Sequence, residues 1–117
     1  MKTAEFGSAL FELEVVTHIA HLQSGSYAEH MALNEVYTGI VDLRDRFLES
    51  YQGYYGIVKG YKSFSISEGE DMILYLQGCV KKFDEYRKTL ELGYLQQICD
   101  DILELLNSAI YKLRFLR

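Results

Sequence analysis

Proline and tryptophan are both absent from this sequence of 117 residues. Proline is the strongest breaker of a helix, because it lacks the amide hydrogen and its ring clashes with the preceding turn, so nothing here forces long helices to stop. No run of about 18 apolar residues occurs, which excludes a membrane-spanning helix. Basic residues are the minority: 12 Lys and Arg stand against 17 Asp and Glu, a net charge of −5. Neutralising a phosphate backbone needs clustered cations, so DNA binding is not expected. The one basic cluster, Lys81, Lys82, Arg87 and Lys88, falls at the end of an expected helix, where cations complement the helix dipole. Cysteine is scarce as well. Cys79 and Cys99 lie in apolar helical faces without metal-ligand spacing, which reads as buried free thiols in a reducing compartment, the cytoplasm. The opening stretch carries Glu5, Glu12 and Glu14 where a signal peptide has its apolar region, so secretion is not expected. A nucleophile elbow and a glycine-rich phosphate loop are missing too, which leaves nucleophilic catalysis without support.

What is present is an ordinary globular composition, 49% hydrophobic and 25% charged, in a length suited to one domain over residues 1–117. Apolar residues recur every three or four positions, the period of an amphipathic helix. A first helix from about Ala4 to Gln23 would use Phe11, Val15, Ile19 and Leu22 as its apolar positions. Ser24-Gly25-Ser26 breaks it, and Ser26 with Glu29 forms a capping box for a second helix, Tyr27 to about Tyr55, whose stripe is Leu33, Val36, Ile40, Leu43, Phe47 and Tyr51. The period is lost from about Gly56 to Ser67, giving a loop whose aromatic residues pack on the helices. Ser67 and Glu70 predict a capping box opening a third helix over Met72, Leu76, Cys79, Val80 and Phe83 to about Lys88. After a turn near Leu90–Gly93, a fourth helix carries Leu95, Ile98, Ile102, Leu105, Ala109, Leu113 and Leu116. Four single-striped helices with two short links and one long one predict an all-α, ferritin-like four-helix bundle with one long crossover between its second and third helices.

All three histidines fall between His18 and His30. On the second helix, His30, Asn34, Asp45 and Glu49 share one strip at the border of the apolar arc, with Thr38 and Asp42 at its margin. On the first, Glu14, His18 and His21 share a face at i, i+4 and i+7. Imidazole nitrogen with carboxylate oxygen suits Fe, Mn or Zn, so the two faces are a candidate metal shell if they meet within or between subunits. The Glu-x-x-His pattern of a di-iron centre inside a bundle does not occur, which moves any site off the bundle axis.

These residues resemble the ferroxidase segment of the Dps-like miniferritins, which binds iron through two histidines twelve residues apart, then an Asp four beyond the second, then an Asp and a Glu fifteen and nineteen beyond it. The matching positions are His18, His30, Asn34, Asp45 and Glu49, with His21 as the alternative for the first. Asp101-Ile102-Leu103 and the stretch Ala109–Leu116 are similar to that family's last helix. The departures are Asn34 where the family has aspartate, the missing tryptophan, and the missing Lys-rich extension that binds DNA in some members. The resemblance implies a homo-oligomer with the second helix at a two-fold dimer interface, and an iron site shared between subunits where Fe(II) is oxidised by oxygen or peroxide. The competing expectation is a non-enzymatic bundle that kept the fold and lost the chemistry. Short chains of this type are also similar to small uncharacterised proteins of tailed phages that carry a SYAEH-like stretch, here Ser26–His30, ahead of an acidic helix.

Overall fold

The computed structural model describes all 117 residues and contains four helices: α1 Thr3–Gln23, α2 Tyr27–Tyr55, α3 Met72–Arg87 and α4 Gly93–Phe115. Their caps explain their ends. Ser26 accepts a hydrogen bond from the Glu29 amide at 3.3 Å and so starts α2. Glu29 does not close the capping box; its carboxylate reaches Arg117 at 2.5 Å instead. The third helix begins later than Ser67 and Glu70 predict. Asp71 is its cap, accepting from the Ile73 and Leu74 amides at 2.9 and 3.3 Å, and Gly69 just before it has φ of 77°, which no helix tolerates.

The helices form a ring in which α1 packs on α2, α2 on α4 and α4 on α3, with α1 and α3 touching least. Side-chain bonds fix the directions. Thr3 at the start of α1 bonds the Tyr86 hydroxyl at the end of α3 at 2.9 Å, and Lys112 and Arg117 at the end of α4 pair with Glu35 and Glu29 early in α2. Packed neighbours therefore run antiparallel, and α2 and α3 run parallel. The crossover must then travel the length of the bundle. It does so along α1: the Lys62 amide donates to the Ser8 hydroxyl at 2.7 Å, Tyr61 packs edge-on to Phe11, and Gln23 donates to Glu68 at 3.1 Å. The expected four-helix bundle with one long crossover is present.

The core is centred on Phe6, fully buried, edge-on to Phe47 and Phe83 at 5.0 and 5.3 Å and stacked on Tyr86 at 4.2 Å. One ring of α1 thus ties α2 and α3 together; emptying such a site costs about 3–5 kcal/mol. The stripes foreseen for the last three helices are buried or half-buried, apart from Leu116, which is exposed. The first is corrected. Phe6, Leu10, Leu13 and Val16 face the core, while Phe11 and Leu22 are exposed. The buried face is disguised by Thr17 and His21, whose polar atoms find backbone partners: the Thr17 hydroxyl donates to the Leu13 carbonyl at 2.7 Å.

Candidate functional site

The candidate residues lie on the α1–α2 hairpin, which forms because the three-residue break Ser24–Ser26, with Ser26 as cap, folds α2 back against α1. At the closed end the histidines gather. The rings of His21 and His30 stack at 3.5 Å between centroids, and the two residues are bonded reciprocally. Nδ1 of His21 donates to the His30 carbonyl at 2.6 Å, and Nδ1 of His30 donates to the His21 carbonyl at 2.9 Å. A carbonyl only accepts, so both rings carry a proton on Nδ1. His21 is buried and His30 half-buried. His18 is exposed, and its ring lies flat on Tyr37 at 3.9 Å, 6.0 Å from the ring of His21. The hairpin therefore brings the histidines near one another, with His21 stacked on His30 and His18 on Tyr37.

The carboxylate half is elsewhere. Fifteen residues separate His30 from Asp45, about 22 Å along a helix. Asn34 is neutral, and its Oδ1 accepts from the Tyr37 hydroxyl at 2.8 Å. Asp45 accepts from Arg44 Nε at 3.1 Å, and Glu14, reaching across from α1, is held by Arg44 Nη1. Glu49 is exposed, one turn beyond Asp45. No group of three or more His, Cys, Asp or Glu within one chain is arranged to hold a metal ion. The donors present thus do not fit a metal shell within the chain: Glu14 and Asp45 are engaged by a guanidinium, Asn34 is an amide, and Glu49 lies with Asp45 far along α2 from the histidines. A shell joining His30 to Asp45 needs a second, antiparallel copy of α2.

Arg44 is the residue that sequence reasoning missed. It is only 6% exposed, and its guanidinium lies 4.1 Å from the ring of Phe11. Its signal was its position on the core stripe, four residues after Ile40 and three before Phe47, where a cation is costly unless paired. The Arg stem covers apolar surface while its head meets Glu14, Asp45 and the face of Phe11.

The thiols are buried and free, as expected. Burial pushes Cys79 up to about 11 and Cys99 up to about 12, so neither is a nucleophile at neutral pH. The basic cluster is a solvated helix end in which Arg87 binds Asp100 at 2.6 Å and Lys88 binds Asp84 at 3.4 Å. No helix is long and apolar enough to cross a membrane.

Comparison with known proteins gives no chemistry. Over 55 residues the chain is 36% identical to an uncharacterized 14.6 kDa protein of the mobD-ri intergenic region of Enterobacteria phage T4. That match covers 47% of this chain and 43% of the phage protein, so less than half of the relative is represented. No solved structure matches. A family model matches residues 21–113, from His21 through the last core leucine of α4, and the chain belongs to the family of unknown function DUF5856.

Proposed function

We propose that this protein is a non-enzymatic, self-associating bundle with ferritin-like connectivity, whose copies meet through the outer face of α1 and α2. The observation that carries the loss of chemistry is Arg44: its buried guanidinium engages Glu14 and Asp45, two of the carboxylates an iron shell would draw on. Self-association is supported by the outer side of α1. Phe11, Val15, His18 and Leu22 follow one another at spacings of four, three and four, the seam spacing with which helices pack on one another, and Leu22 is 70% exposed. A helix that is apolar on both sides is normally covered on both sides. The crossover covers only the Phe11 end, and a second copy would cover the rest.

One observation favours the other reading, an iron-binding miniferritin site between subunits. Metal-binding histidines often hold Nδ1–H on a carbonyl, and His21 and His30 each hold Nδ1 on the other's carbonyl. His18, Asp45 and Glu49 are also exposed to a second copy. One experiment separates the two readings: anaerobic Fe(II) titration followed by oxygen or peroxide, with native mass measured alongside. The bundle reading expects a defined oligomer that Leu22→Glu dissociates and no saturable iron binding. Saturation at about one or two irons per chain, lost in His30→Ala with Glu49→Ala and followed by Fe(III) absorbance, would replace it with the miniferritin reading. A monomer would end the self-association claim.

A further inference from the structure

At the end of the bundle opposite the histidines, the start of α1, the end of α2, the first crossover residues and the α3–α4 turn enclose an open groove of about 800 Å³. Its volume is that of a small-molecule site. Two features of its lining point to one kind of ligand. The first is charge. Of the twelve Lys and Arg, Arg44, Arg87, Lys88, Lys112 and Arg117 hold carboxylates, and Lys82 and Arg114 lie over rings. Five remain with neither partner, and three of those, Lys2, Lys59 and Lys62, line this groove. A chain of net charge −5 thus concentrates its unpaired cations around one concavity. The amino end of α1 opens into the same space and adds its positive dipole end.

The second feature is aromatic. Tyr51 and Tyr55 form one wall with ring centroids 4.6 Å apart, and Tyr51 is backed by Phe47 at 6.1 Å, so the wall is anchored in the core. Tyr86 lies in the lining with its hydroxyl already bonded to Thr3. Unpaired ammonium groups bind phosphate, and an anchored tyrosine pair offers a face for a planar ring. Glu5 and Glu91 also line the groove, which disfavours a long polyanion over a compact one.

We propose that this groove binds a phosphorylated aromatic molecule of mononucleotide size, its ring against Tyr51 and Tyr55 and its phosphate among Lys2, Lys59 and Lys62. The site is independent of the self-association face and stands or falls separately.

Isothermal titration of the full chain with AMP, adenosine, inorganic phosphate and a short oligothymidylate tests it. AMP is expected to saturate at one per chain, more tightly than adenosine or phosphate alone, and to weaken with added salt. Lys59→Ala with Lys62→Ala, and separately Tyr55→Ala, should each weaken AMP by about tenfold or more, the value of a charge-assisted contact or a stacked ring. All three side chains are exposed, so unchanged thermal melting is the check that the variants fold. Binding of AMP that survives either variant, AMP no tighter than phosphate, or an oligonucleotide bound far more tightly than AMP would each overturn the proposal.

Discussion

Arg44→Met is the perturbation that tests most of this reasoning at once. Methionine keeps a long apolar stem at this buried position but removes the cation between Glu14 and Asp45 and above Phe11. Asp45 is 54% exposed at its side chain and is solvated without help, so its share is small. Glu14 is 31% exposed and loses its only ion-pair partner, which costs about 1 kcal/mol. The contact of the guanidinium with Phe11, largely out of water, adds about 0.5–2 kcal/mol. The expected loss is about 1.5–3 kcal/mol, or roughly 5–12 °C in Tm for a chain of this length. Urea denaturation followed by far-ultraviolet circular dichroism reads it. A cycle with Glu14→Gln should show coupling of about 1 kcal/mol, because the glutamate matters only while the arginine is there. A loss below about 0.5 kcal/mol, or additive single effects, would refute the view that Arg44 is a buried clamp and free its carboxylates for the metal reading.

Gly78 lies inside α3 with open space where a Cβ would sit, so Gly78→Ala should stabilise by about 0.5–1 kcal/mol in a thermal melt. The Tyr75 hydroxyl is buried with no oxygen or nitrogen partner and only the Cys79 thiol beside it, so Tyr75→Phe should be neutral or stabilising; a loss above about 1 kcal/mol would mean the hydroxyl has a real partner. Asp71→Ala removes two capping bonds and should cost about 1 kcal/mol, with hydrogen exchange rising first at the start of α3. Burial holds the thiols of Cys79 and Cys99 protonated up to about 11 and about 12, whereas in the unfolded chain they ionise near pH 8.5. The unfolded state therefore releases protons first, so their contribution is intact below about pH 8.5 and declines as pH rises through the folded values. Urea midpoints at pH 8 and 10 measure the decline, and a thiol reagent at pH 8 should react only as fast as the chain unfolds.

The legibility of the chain differs from helix to helix. For α2, α3 and α4 one face is apolar and the other polar, so period alone names the buried side chains, and Ser26 marks a boundary by its own capping chemistry. For α1 the period was ambiguous, because Phe11, Val15 and Leu22 repeat as regularly as Phe6, Leu10 and Leu13. The α3 start was misplaced for a similar reason: Ser67–Glu70 and Asp71 are both capping patterns, and the left-handed Gly69 decides between them. In the candidate site, spacing in sequence places the histidines in one 13-residue window but does not say which rings stack.

An all-helical chain, three of its four buried faces and the long crossover are legible in the residues alone, since these follow from the period of apolar residues and from local capping. Which side of α1 is inside, the stacking of His21 on His30 and of His18 on Tyr37, and the hold of Arg44 on Glu14 thirty residues away arise only when the helices pack. Packing also gathers Lys2, Lys59 and Lys62 around one groove. Those facts depend on contacts between segments remote in sequence, where charge pairing and packing choose among arrangements that local periodicity leaves equal.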